Sequence, residues 1–342
     1  METFSVQEAN GVMTASTINI AMCFDDGYVF PSKIALYSLF RNNPHHEIHV
    51  YVIHSELSSE CQRELKELTD FFENKKLIFK KISDKKIRDK FSETLVIDYI
   101  SIATYYRYVL ADELPDIEKI LYIDGDILFN ADIMPIWQTS LGDNLFAAVQ
   151  DNWVMNEQKE HLRDIGFNDA TDKYFNAGFL LMNLKQIRKH GITKHLFDIT
   201  QGDEYKGRLT LQDQDALNIV CKGKIKKLPQ KYQYMSYDFY RDSHSFNDVI
   251  AAHYTGPTKP WKHREASSRS DIYFLQIYND YMDGLERLID GRDEFEWRDM
   301  YENSVKQRHV ILDLERELAV AKSTKRSVYN ILVNMKTKIS KK

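Results

Sequence analysis

The sequence predicts an α/β protein built on a parallel βαβ sheet with a nucleotide-type crevice. Strand-length apolar runs alternate with helix-periodic segments from Ile18 to Lys81, the pattern of right-handed βαβ crossovers. Further on, Leu121-Tyr122-Ile123 reads as a buried parallel strand that ends directly at Asp124-Gly125-Asp126, and a second apolar run, Ile127-Leu128-Phe129, follows. Ligands of open α/β sheets bind at that carboxyl edge. Two carboxylates one residue apart there suit a hard divalent cation that in turn holds a diphosphate. Strict alternation points both side chains the same way, and Gly125 between them permits close approach of backbone or ligand.

Each element has its own warrant. Residues 18–24 form an apolar run that the polar stretch Asp25-Asp26-Gly27-Tyr28 breaks. Residues 31–41 carry Ile34, Ala35, Leu36 and Leu39 with Pro31 at the start, which predicts a helix. Residues 48–53 predict a second strand. Residues 58–72 predict a helix with Ser58 and Ser59 as cap candidates and Leu65, Leu68 and Phe72 at helical spacing. Residues 76–81 make a weaker third strand. A helix is expected over 102–110, strands over 145–150 and 179–184, and a helix over 212–221 that opens with Gln-Asp-Gln-Asp. A loop-rich region then runs to His253-Tyr254-Thr255-Gly256-Pro257-Thr258-Lys259-Pro260-Trp261, and after about Asp271 the composition turns helical and charged.

Composition sets the outer limits. With 43% apolar and 28% charged residues over 342 positions, the chain can bury a real core and is not a disordered polymer. A formal charge of −5 argues against a nucleic-acid binder. The charge is uneven: residues 322–342 carry seven basic residues and no acid, and removing that +7 from −5 leaves −12 on residues 1–321. Cys23, Cys61 and Cys221 are scattered and fit a reducing compartment. The polar leader, residues 1–17, has neither a basic start nor an apolar h-region, and no apolar run is long enough to span a bilayer. The expectation is a cytoplasmic protein with a membrane-surface attachment. Val328, Leu332, Met335 and Ile339 make an apolar stripe among Lys and Arg, suited to the headgroup region of an anionic membrane or to a partner helix. Upstream, Ile311, Leu314, Leu318 and Ala321 make a similar stripe with acids between, suited to a short coiled coil.

Several segments combine chemistry-bearing residues, each with a plainer reading beside it. Asp124 and Asp126 are a cation site, solvated loop acids, or the nucleophile pair of a haloacid-dehalogenase-type phosphatase. Those phosphatases usually follow the pair with Thr or Val near the domain start, whereas Ile127-Leu128 follows here, well inside the chain. His253 sits in His-x-x-Gly-x-x-Lys-Pro-Trp. There a neutral imidazole can complete a Mn²⁺ site made mainly of carboxylates, Gly256 lets backbone approach a phosphate, and Lys259 offers a point charge. The alternative is an ordinary surface loop. The Gln212–Asp215 stretch either complements a helix dipole or grips sugar hydroxyls. The segment Tyr174-Phe175-Asn176-Ala177-Gly178 is a turn before a strand or a set of small residues that lets a sugar ring sit close. Arg107, in Tyr105-Tyr106-Arg107-Tyr108, is a helix-surface charge or a guanidinium that reaches sugar or diphosphate oxygens.

Taken together and in this order, from about Ile18 to Trp261, these segments resemble glycosyltransferase family 8, and within it the bacterial lipopolysaccharide and lipooligosaccharide galactosyl- and glucosyltransferases. The resemblance implies a GT-A fold, a Rossmann-like mixed sheet flanked by helices that binds a nucleotide sugar, over residues 18–265. A helical C-terminal region with a basic amphipathic tail would occupy 266–342. It implies that Asp124, Asp126 and His253 ligate Mn²⁺, with Mg²⁺ as the other candidate ion. Asp25 would face the uracil, and Gly256 and Lys259 would close over the diphosphate. Arg107, Asp151, Asn176 and Asp213 would surround the donor sugar, with Ala177 and Gly178 beside it. Gln214 would lie beneath the anomeric carbon. Gly27 departs from the pattern, standing where close relatives often carry Asn. The implied reaction moves galactose or glucose from UDP to a saccharide acceptor, a glycolipid, with retention. Because an amide is a poor nucleophile, a front-face route is favoured over a covalent one. Two other readings stay open: transfer to a protein-linked glycan, and a catalytically weak UDP-sugar-binding or interaction module.

Overall fold

The computed structural model describes residues 17–83, 87, 102–239, 249–257, 259–262 and 269–291. The expected βαβ pattern opens the chain. Strand β1 (Ile18–Cys23) is followed by helix α1 (Val29–Asn42), β2 (Ile48–His54), α2 (Ser59–Asp70) and β3 (Lys75–Lys81). Pro31 lies in the first turn of α1, where its missing N–H costs nothing. Ser58 caps α2 by accepting from Cys61 N. The Asp-x-Asp strand is β4 (Lys119–Ile123), and β5 (Ile127–Phe129), β6 (Phe146–Gln150) and β7 (Phe175–Asn183) follow. Helices α3 (Ile192–Gln201) and α4 (Asp213–Val220) precede β8 (Ile225–Leu228), β9 (Tyr234–Met235), β10 (Ala251–His253) and α5 (Arg269–Ile289).

The strands form a seven-stranded sheet in the order β3-β2-β1-β4-β7-β6-β8 and a three-stranded sheet in the order β5-β10-β9. Strand β4 is parallel to β1 on one side, as expected, but antiparallel to β7 on the other. The sheet is therefore mixed. Three further expectations change. Residues 102–109 form a 3₁₀ helix, with α-helical geometry only from Leu110 to Glu113. Strand β7 begins at Phe175, so Asn176, Ala177 and Gly178 lie inside the strand rather than in a turn before it. The region read as loops contains β8, β9 and β10, which are only four, two and three residues long. Runs that short, one of them Ile-Lys-Lys-Leu, give no periodicity to read.

Burial explains why these runs sit where they do. All nine residues of β7 but the last are buried, as in a strand covered on both faces. Tyr105, Tyr106 and Tyr108 plug the core beneath the sheet, with Tyr108 edge-on to both Tyr105 and Phe197. The chain divides into two compact units, residues 1–238 with 249–255 and residues 239–248 with 256–342. In the second unit, Ile277, Tyr278, Tyr281, Met282 and Leu285 make one buried face of α5, and Trp261 packs on Tyr278 with ring centroids 5.8 Å apart. Among the described residues no helix is long and apolar enough to cross a membrane. The apolar stripes of residues 311–321 and 328–339 lie outside the described residues.

Candidate active site

The order β3-β2-β1-β4 creates a topological switch point between β1 and β4, the position where open α/β sheets bind ligands. Both strands deliver acids there: Asp25 follows β1, and Asp124 and Asp126 follow β4. A cleft of about 570 Å³ opens at this edge, lined among others by Asp25, Arg107, Asp124, Asp126, Asn176, Ala177, Gly178, Asp213 and Gln214.

Two ladders bring the cation-binding candidates together. Across the β4/β7 ladder, Asp124 N donates to Gly178 O at 2.9 Å, which sets Asp124 opposite Gly178. Across β5/β10, His253 pairs with Ile127, and Tyr254 N donates to Asp126 O at 3.0 Å. One oxygen each from Asp124 and Asp126 and one ring nitrogen from His253 lie within 4.8 Å of one another. His253 Nε2 stands 3.1 Å from Asp126 Oδ1 and 3.9 Å from Asp124 Oδ2. Neighbouring donors around an octahedral ion with bonds of about 2.1 Å lie roughly 3 Å apart, so the cluster fits an ion after a small closure. Two carboxylates and one imidazole are a donor set for Mn²⁺ or Mg²⁺. Gly178 makes the cluster sterically feasible, because a Cβ there would collide with the Asp124 carboxylate and the His253 ring. Gly125 is required for the same kind of reason: a Cβ would strike Ser32 Oγ.

Arg107 is no surface charge. Its buried guanidinium donates to Ala177 O at 2.7 Å, to Asp124 Oδ1 at 3.0 Å and to Thr104 O at 2.9 Å, and stacks 4.6 Å from the Tyr122 ring centroid. Burial opposes its charge, but Asp124 and Asp213 outweigh that and hold its pKa above the usual value. Arg107 Nε also stands 3.2 Å from Asp213 Oδ2, yet its N–H points at Thr104, so Asp213 Oδ2 accepts no hydrogen bond among the described residues. Burial pushes the Asp213 carboxyl up to about 6, with Arg107 acting against the shift.

Gln214 sits in a fixed frame. Its Oε1 accepts from Ala177 N at 2.9 Å and Asn176 Nδ2 at 3.1 Å, and its Nε2 donates to Asp151 Oδ2 at 3.2 Å. Asp151 caps the following helix through Val154 N and is joined to the cleft through Gln214 and Asn176. Asp213 and Gln214 open α4 directly after Gln212, whose φ of 52° is strained for a residue with a side chain. Asp215, 0% exposed, holds that turn by accepting from Leu211 N and Tyr174 OH, with His161 Nε2 at 2.8 Å. Of the Gln-Asp-Gln-Asp stretch, then, Asp213 and Gln214 line the cleft and Asp215 braces the turn. Gly256 (φ 85°) and Lys259, whose ammonium lies 5.9 Å from the Trp261 ring centroid, belong to the second unit.

Two residues of the site carried no sequence signal. Asn218 accepts from Phe175 N and donates to Phe175 O, both at 2.8 Å, and so ties α4 to β7 as a strand neighbour would. Gln233, just before β9, lies between Asn176 and His253. Its role depends on the parallel β9/β10 pairing, which no local pattern announces.

Mixed sheet, switch-point cleft and carboxylate–imidazole cluster are the features expected of a GT-A glycosyltransferase. Residues 19–265 match the model of glycosyl transferase family 8, and the chain belongs to that family. It is 27% identical to the lipopolysaccharide 1,3-galactosyltransferase of Salmonella typhimurium over 77% of this chain and 78% of that protein. It is 26% identical to a lipopolysaccharide 1,2-glucosyltransferase of Escherichia coli, again over 77% and 78%. The crystal structure of the galactosyltransferase LgtC in complex with donor and acceptor sugar analogs superposes with a TM-score of 0.65 at 30% identity, covering 77% of this chain and 95% of that one.

Proposed function

We propose that this glycosyltransferase is a retaining, Mn²⁺-dependent enzyme that moves galactose or glucose from UDP to a saccharide acceptor of lipopolysaccharide or lipooligosaccharide. The observation that carries the reading is the Asp124–Asp126–His253 cluster at the switch point. Similarity to lipopolysaccharide galactosyl- and glucosyltransferases supports the donor and acceptor classes. On this reading Asp25 would face the uracil, Asp124, Asp126 and His253 would hold the ion that serves the diphosphate, and Gly256 and Lys259 would contribute to diphosphate binding. When bound, Mn²⁺ neutralises the charge that develops on the departing UDP.

The chain's own groups do the rest. Arg107 donates to Asp124 Oδ1 and fixes that carboxylate, so an oxygen is preorganised for a cation. Asp213 Oδ2, buried and without a hydrogen bond among the described residues, can accept one from a donor-sugar hydroxyl. Both lone pairs of the Gln214 amide oxygen are engaged by N–H donors, which leaves it a fixed dipole beneath the anomeric carbon rather than a nucleophile. That favours front-face transfer, in which the leaving phosphate oxygen takes the acceptor's proton. Residues 18–265 act as the catalytic domain. Within the helical C-terminal region, 266–342, the basic tail of residues 322–342 rests on the anionic inner face of the cell membrane, where a glycolipid acceptor is presented. The test of the route is mass spectrometry of enzyme quenched during turnover: no hexosyl adduct is expected, and one on Gln214 or Asp213 would overturn it.

A further inference from the structure

We propose that Gln233 is a positioning residue that sets the proton tautomer of His253 and must turn its amide when the cation site fills; this rests on the reading of Asp124, Asp126 and His253 as cation ligands. Gln233 is 0% exposed. Its Nε2 donates to Asn176 Oδ1 at 2.6 Å and lies 2.7 Å from His253 Nδ1, while its Oε1 accepts no hydrogen bond among the described residues. A buried orphan oxygen is costly and calls for an explanation.

The orientation is assigned through backbone atoms whose identity is fixed. Gly178 N–H donates to the Asn176 side chain at 2.9 Å, so the atom there is Oδ1. An oxygen at that point needs a donor from Gln233, which must therefore present Nε2. The second Nε2 proton points at His253 Nδ1, which must then be the bare nitrogen. The ring proton accordingly sits on Nε2 and is donated to Asp126 Oδ1 at 3.1 Å.

That tautomer is the wrong one for a cation, which needs Nε2 bare. Loading moves the ring proton to Nδ1: one proton leaves Nε2, one is taken up at Nδ1 from solvent, and the ring stays neutral. Nδ1–H would then face the N–H of Gln233, two donors head to head. A half-turn of the Gln233 amide removes the conflict by bringing Oε1 to accept from Nδ1–H. The same turn sets Oε1 against Asn176 Oδ1, so the Asn176 side chain, whose amide holds Gln214 Oε1, must shift with it. Cation binding is thereby linked to the wall of the cleft, and the linkage is reciprocal.

The test is ¹⁵N-histidine NMR on the full-length protein without cation and with Mg²⁺, the His253 signal being identified by its loss in His253→Gln. Nε2–H without cation and Nδ1–H with Mg²⁺ are expected, with the Gln233 and Asn176 side-chain amide signals moving together. Nδ1–H already present in the cation-free protein overturns the inference. Gln233→Glu offers only acceptors; it should show Nδ1–H without cation and bind Mn²⁺ about 10- to 100-fold tighter by electron paramagnetic resonance titration. A folded Gln233→Glu with the wild-type tautomer contradicts the inference. Failure of wild type to bind either ion instead refutes the cation-site reading, and the cation-free tautomer still decides the role of Gln233.

Discussion

Arg107 holds three parts of the cleft at once: the Asp124 carboxylate, the flank of Asp213 and the Ala177 carbonyl. Removing it strands the buried Asp213 carboxylate and the half-buried Asp124 carboxylate, so Arg107→Leu should destabilise the fold by about 3–5 kcal/mol in urea unfolding. Lysine cannot reproduce three directed bonds and should restore little of that. Asp213 yields a pH prediction. Its folded pKa, about 6, lies above the ordinary value of 3.8, so the folded state binds the proton more tightly. The stability this group contributes is full below the ordinary pKa and is lost as pH rises through about 6. Compared with Asp213→Asn, wild type should therefore gain stability as pH falls from 7 toward 5. A constant difference across that window would contradict it. At this scale the acids were legible in sequence because the chemistry lies in neighbouring residues. Arg107 was legible only as an ambiguity, since whether it is a surface charge or a buried fork depends on Tyr122 and Ala177, which approach from other strands.

Strand pairing decides which of the candidate residues meet. Strand β7 supplies Gly178 opposite Asp124, and β10 sets His253 beside Asp126. Gly178→Ala should leave the sheet folded and weaken Mn²⁺ binding by about tenfold or more, because the new Cβ collides with two of the proposed ligands, Asp124 and His253; unchanged affinity in a calorimetric titration would refute that role. Asn218→Ala removes both partners of the Phe175 backbone and should cost about 2–4 kcal/mol of unfolding free energy. The strands and helices up to β3, with α4, were readable from apolar period and caps. The antiparallel entry of β7 was not, because a doubly buried strand reads the same in either direction. The two- and three-residue strands β9 and β10 owe their existence to the partners they pair with.

The whole molecule joins an acidic body to a basic end. With −12 on residues 1–321 and +7 on 322–342, the tail and not the body should meet an anionic surface. The 342-residue protein should sediment with anionic vesicles and lose that on truncation after Gly291; retention by the truncated chain would show that the tail is not what meets the membrane. Under the proposed function, the switch-point cluster drives hexosyl transfer from a UDP donor. The most direct measurement is UDP release by purified protein from UDP-galactose and UDP-glucose, each with and without Mn²⁺, for wild type and Asp126→Asn. Release from one donor that requires both Mn²⁺ and Asp126 is the predicted result. Release that persists in Asp126→Asn or without any divalent cation, or no release from either donor by folded wild type, would contradict it.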